Sequence, residues 1–142
     1  MVGAAILQPV VVLAAWTMVI WVWMYATRIP AMTAAKVDPN SLATDPEADL
    51  DRLLPPQVQW KAHNYNHLHE APTVFYAIAI VLAITGQGDG WNAYLGWVYV
   101  GLRIVHSLVQ VTINRVILRF ALFVASSLAL AALILHAAMA VF

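Results

Sequence analysis

Cysteine is absent from the chain, which excludes a disulfide framework, a thiolate metal site and a cysteine nucleophile. Charge is scarce as well: only 10% of the 142 residues are Asp, Glu, Lys or Arg, and the formal net charge is zero. With no basic tail or patch, no nucleic-acid partner is expected. The glycines of "GQGDG", residues 86–90, lack the following Lys-Ser/Thr pair of a phosphate loop and read as a helix-to-helix turn. Histidine, carboxylate and arginine are left to carry any chemistry.

What fills the chain is apolar. Hydrophobic residues make up 63% of it, above the roughly 45–50% usual for soluble domains, and place it in a membrane. No charged residue precedes Arg28, and a helix crossing a hydrocarbon core of about 30 Å needs roughly 20 residues. Met1 to Thr27 therefore reads as a first span, with its helix over about 5–27. A cleaved signal peptide would want a basic start and a shorter apolar core, so the segment is expected to be retained. Phe120 to Phe142 is an equally apolar run, predicting a last span near 118–141.

The middle spans are shorter in their apolar parts. Ala71 to Thr85 covers only about 22 Å as a helix, so the second span is expected to start inside "HNYNHLHE" and run over 63–85. The third, from Trp91, crosses only if it continues through Arg103, His106 and Gln110, giving 91–114. The fold class predicted is all-α: one domain, an integral membrane four-helix bundle. The connection 28–62 holds Pro30, Pro39, Pro46, Pro55 and Pro56. Within it "DPEADLDRLLPP" predicts a short helix capped by Asp45, with Pro46 at its first position. Six of the seven Lys and Arg residues lie in or beside the first and third connections, so the positive-inside rule puts both on the cytoplasmic side, with "GQGDG" opposite.

Polar residues on the middle helices are periodic. At about 100° per residue, His63, Asn66, His67 and Glu70 share one arc, and Arg103, His106, Ser107, Gln110 and Asn114 share another. The short turn makes these helices antiparallel, so Glu70 and Arg103 are expected at similar depth, facing inward as a buried ion pair. Two simpler readings stand beside a functional one. Polar residues between transmembrane helices serve as interhelical glue, and His63 and His67 at i and i+4, with Glu70 three further on and His106 joining from the third span, have the spacing of a mononuclear zinc or iron site. His136, alone on the last span, reads as a packing residue.

Taken together, "NHLHEAPTVFYA" and "GLRIVHSLVQVTINRVILRFALF" resemble the bacterial branch of the MAPEG family, the membrane-associated proteins in eicosanoid and glutathione metabolism. The resemblance covers most of the chain. It implies a multi-pass protein of a bacterial inner (cytoplasmic) membrane, surrounded by lipid and assembled as a homotrimer. It also implies glutathione bound between subunits near the cytoplasmic face, and a hydrophobic small-molecule substrate. Members add the glutathione thiolate to lipophilic electrophiles, reduce lipid hydroperoxides or isomerise lipids. By this resemblance Glu70 holds the peptide's amino end, and His63, Asn66, His67, Arg103 and His106 belong to the glutathione site. Arg115 matches the arginine that lowers the thiol's pKa and would be the catalytic residue. The chain departs from the pattern in placing His63 where many members have arginine, His67 where they have asparagine, and Ile104 and Leu108 where some have tyrosines. An accessory or lipid-binding subunit with the same fold is the alternative that needs no glutathione.

Overall fold

The computed structural model describes residues 4–142. Met1, Val2 and Gly3, at the edge of the expected first span, lie outside the described residues. Among the described residues seven helices follow in order: α1 (Leu7–Ala34), α2 (Ser41–Thr44), α3 (Leu50–Leu53), α4 (Pro56–His67), α5 (Ala71–Ile84), α6 (Trp91–Thr112) and α7 (Val116–Val141). Three stretches are long and apolar enough to cross a membrane: α1, the combined Pro56–Ile84 segment and α7. The fourth, α6, has 22 residues, about 33 Å at 1.5 Å per residue. Its polar inner row lowers its hydropathy without shortening it.

The first and last spans form where their apolar runs require them, although α1 continues seven residues past Thr27, to Ala34. Hydroxyls inside α1 are satisfied by the helix itself: Thr17 donates to the Leu13 carbonyl at 3.0 Å and Thr27 to that of Trp23 at 3.1 Å. In a bilayer that internal satisfaction is obligatory. The inward row of α1 is Pro9, Leu13, Ile20 and Met24, while Val11, Met18, Val19 and Val22 are exposed to the surrounding apolar medium. Near its start α1 passes so close to α6 that a Cβ on Gly96 would lie 3.2 Å from both Ile6 Cγ1 and Pro9 Cγ. A Gly96→Leu variant is therefore expected to lose about 1–3 kcal/mol, read as a lower unfolding temperature in detergent.

The second span departs from expectation. It begins at Pro56, a helix-compatible first position for proline, and so extends seven residues earlier than 63. It then breaks: α4 ends at His67 and α5 starts at Ala71, with Glu70 at φ −92°, ψ −105°. Pro72 is the cause, since it has no N–H for the carbonyl four residues back and its ring crowds that carbonyl. The cluster "HNYNHLHE" thus occupies the middle of a 29-residue span and not the mouth of one. The connection correspondingly shrinks from 28–62 to 35–55.

Inside that connection the expected helix from Asp45 is replaced by a turn and a shorter helix. Asp45 Oδ1 accepts from the Glu47 N–H at 2.9 Å, and Asp49 caps α3 by accepting from the Asp51 N–H at 3.0 Å. An Asx turn at Asp45 competes with helix initiation, so the cap moves four residues on. Asp51 then ties α3 to α4, accepting from Gln59 Nε2 at 2.7 Å and from His63 Nε2 at 2.9 Å. These two contacts, Gln59 first, hold its carboxyl below the ordinary range. Gln59 also accepts from Arg28 at 3.3 Å, which anchors the connection to the end of α1.

The short turns behave as expected. Residues 86–90 join α5 to α6, with Gly86 at φ 73° closing α5 and the Gln87 N–H returning to the Leu82 carbonyl at 2.8 Å. At the other end α6 stops at Thr112, so Asn114, expected on its inner row, instead adopts φ 49° in the turn to α7, a left-handed position that asparagine tolerates and that ends the helix. α6 is the central element. It packs most extensively on α7 and also touches α1 and α4. Its buried residues run Asn92, Gly96, Tyr99, Val100, Arg103, His106, Ser107, Gln110 and Val111, a helix with polar groups inward and apolar ones outward.

Candidate functional site

The inner row of α6 is where the polar stripe expected from periodicity falls. Arg103 is 1% exposed, His106 2%, Ser107 0% and Gln110 6%. Gln110 receives a hydrogen bond from Asn64 Nδ2 at 2.9 Å. The asparagine that faces the bundle is therefore Asn64, not Asn66, which is exposed. One residue rotates a helical position by about 100°, and the neighbours of α4 select Gln59, Ala62, Asn64 and Leu68 for the inside.

Arg103 does not pair with Glu70. Its Nε, Nη1 and Nη2 all lack a hydrogen-bond partner among the described residues, as do His106 Nδ1, Ser107 Oγ and Tyr99 Oη. Glu70 is exposed past the end of α4 and accepts instead from His67 Nδ1 at 2.8 Å. The break at 68–70 explains the change, because a continuous helix would have carried Glu70 along the α4 axis whereas the kink turns it outward. Buried polar groups are nearly always satisfied, so a fully enclosed guanidinium with five unmet donors marks a place built to receive acceptors.

Beside that row a cavity of about 260 Å³ is lined by His67, His106, Val116, Arg119, Phe120 and Phe123. The His67 ring stands 5.2 Å from His106 and 6.2 Å from Phe123, tilted about 32° and 31° to them. His106 lies within electrostatic reach of Arg103, His67 and Arg119. Cationic and imidazole groups thus meet an aromatic wall.

Since a carboxylate only accepts, the proton in the His67–Glu70 contact sits on Nδ1, and the neutral ring keeps its lone pair on Nε2. A carboxylate holding one imidazole nitrogen so that the other can take a proton is the arrangement of a general base.

Three residues singled out by sequence fall elsewhere. His63 turns to Asp51, and Asn66 faces outward. Arg115, at the start of α7, lines a separate apolar groove with Val116, Ile117, Leu118 and Ala121. The cation facing the His67–His106 cavity is Arg119, one turn further along, which the sequence reading passed over; its i+4 spacing from Arg115 and its position four before Phe123 were the available signals. The metal alternative also loses its geometry: His63 is drawn away from His67 and His106, and among the described residues no group of three His, Asp or Glu side chains is placed to hold an ion.

Comparison with known proteins gives one positive finding. The model of the MAPEG family matches residues 6–139. No curated protein and no solved structure matches.

Proposed function

The chain belongs to the MAPEG family of membrane proteins, and from that premise we propose that it is a glutathione-dependent transferase acting on lipophilic electrophiles. The observation that carries the reading is the cavity in which Arg119, His67 and His106 face Phe120 and Phe123. The donor set fits a zwitterionic tripeptide. Arg103, His106 and Arg119 have unmet donors for its carboxylates, Glu70 is an exposed carboxylate for its ammonium, and the phenylalanines offer an apolar acceptor a surface continuous with the membrane.

Glutathione supplies a nucleophilic sulfur, and the protein's residues manage its proton and charge. His67 accepts the thiol proton on Nε2 while Glu70 holds Nδ1. Arg119 stabilises the negative charge on sulfur, as a neighbouring cation does in lowering a thiol pKa from about 8.5. With an α,β-unsaturated carbonyl as acceptor, the sulfur–carbon bond forms as the carbon–carbon π pair shifts towards the carbonyl. His67 then returns its proton to the carbon that received that pair. With a lipid hydroperoxide as acceptor, the same sulfur would attack the outer oxygen and release the alcohol, and a second glutathione would then displace water to leave the disulfide.

The reading includes a trimer, for which the outer face of the chain gives a physical reason. His63, Asn66 and Glu70 lie on the outside of the single chain within the Pro56–Ile84 span, and polar groups facing lipid are costly. Neighbouring subunits would cover them and close the tripeptide site, with the 35–55 connection on the cytoplasmic side of a bacterial inner membrane.

The test is the ultraviolet thiolate signal of glutathione added to detergent-purified protein. Wild type is expected to ionise most of the bound thiol at neutral pH, whereas Arg119→Ala should leave it at the few per cent of a free thiol. Arg115→Ala should keep the signal. A signal lost in Arg115→Ala and kept in Arg119→Ala would return the activating role to Arg115. Absence of thiolate at saturating glutathione in the wild type would sink the transferase reading and leave the fold serving as an accessory or lipid-binding subunit.

A further inference from the structure

No Asp or Glu follows Asp89 in the chain. α6, the turn after it and α7 therefore carry Arg103, Arg115 and Arg119 with no acid of their own. Arg103 is enclosed in the bundle and Arg119 faces the His67–His106 cavity. Arg115 is exposed, and its side chain has no hydrogen-bond or ion-pair partner among the described residues. We propose that Arg115 heads a site for one anionic phospholipid, with the phosphodiester on its guanidinium and the acyl chains along the outer face of α7.

The surroundings of Arg115 are what an arginine left to water would not have. Its groove, of about 710 Å³, is otherwise lined by Val116, Ile117, Leu118 and Ala121. At about 100° per residue Val116 stands on one side of Arg115 and Leu118 on the other, so apolar side chains flank the guanidinium with room for two acyl chains. The groove also has an outlet. Ile117, Ala121, Val124 and Leu128 recur at i, i+4, i+7 and i+11, and all four are exposed. That line is about 16 Å long, close to half of a hydrocarbon core of about 30 Å and so to the depth of one leaflet.

Charge selects the headgroup. A guanidinium meets a phosphodiester with two parallel hydrogen bonds. The first turn of α7 has no acidic residue and no side-chain cap, so its helix dipole adds to the attraction for an anion. A zwitterionic lipid brings an ammonium with its phosphate, and α6 and α7 have no carboxylate to receive it. A phosphodiester with an uncharged polyol head, as in phosphatidylglycerol, brings only the charge that the site lacks. The groove shares Val116 alone with the cavity beside Arg119, so the site stands whether or not that cavity takes glutathione.

The experiment is native mass spectrometry of the detergent-purified full chain after incubation with equimolar dioleoyl phosphatidylglycerol and dioleoyl phosphatidylcholine. Wild type is expected to retain the glycerol lipid saturably and at least about fivefold over the choline lipid, the scale of preference from one cation at a membrane surface. Arg115→Gln should abolish the preference. Lys36→Gln, which removes a charge from the same end of the bundle, should keep it. Ala121→Trp fills the groove with Arg115 in place and should lose most of the retained phosphatidylglycerol. All three positions are exposed, so the variants should unfold at the wild-type temperature in lipid-free detergent. Glycerol 3-phosphate, a headgroup without chains, should not displace the lipid. Equal retention of the two lipids by the wild type, the same loss in Lys36→Gln as in Arg115→Gln, full retention in Ala121→Trp, or displacement by glycerol 3-phosphate would overturn the proposal. So would a wild type that retains no lipid, which would leave the groove to a second copy of the chain.

Discussion

Replacing Arg103 with methionine is expected to make the protein more stable in detergent, by about 3 kcal/mol, the scale of cost for a charge at the centre of a membrane helix. The direction follows from the site. Arg103 is 1% exposed and none of its three guanidinium nitrogens has a hydrogen-bond partner among the described residues. Methionine fills a similar volume without a charge to desolvate. Glutathione affinity should move the other way, falling about 10–100-fold, since a charged hydrogen bond is worth about 1.5–3 kcal/mol. Thermal unfolding with and without glutathione reads both effects. A loss of several kcal/mol in the unliganded variant would mean that Arg103 is held by an acceptor after all, with Glu70, whose charge acts on it, the candidate.

Truncating Phe75 should have the opposite sign. Its side chain is fully buried, and its ring stacks on Tyr99 with centroids 4.5 Å apart and planes 24° from parallel. Phe75 is therefore the contact through which α5 supports the α6 turn leading to Arg103. Phe-to-Ala changes in cores cost about 3–5 kcal/mol. Lipid is as apolar as the interior, so the loss here is of packing and not of water exclusion, and the lower end, about 3 kcal/mol, is expected. Phe75→Leu should lose about 1 kcal/mol, because most of the volume is kept. Equal unfolding temperatures for Phe75→Ala and wild type would show that the α5–α6 contact does not stabilise the fold.

Sequence alone determined the elements whose signal is local and long. Apolar runs free of charge gave the first and last spans, because hydrocarbon thickness fixes the length a helix needs. Glycines gave the 86–90 turn. The inner face of α6 was legible too, since an unbroken helix keeps its phase and Arg103, His106, Ser107 and Gln110 recur at helical spacing.

Tertiary structure decided everything that depended on where a helix starts, breaks or crosses another. Pro56 could equally end the connection or begin a helix, and Pro72 could sit in a first turn or interrupt a span, so the break that swings Glu70 from Arg103 to His67 was invisible in the pattern. Phase along α4 was ambiguous between Asn64 and Asn66 until Gln110 stood opposite one of them. Arg115 and Arg119 are four residues apart and lie on nearly the same helical face; only the contact of α7 with α6 and α4 set Arg119 against the histidines. The hydrogen bond between Asn92 and His136 joins two helices whose residues carry no mark of each other in the sequence, because a contact across 44 residues is fixed by how helices pack and not by what each would do alone.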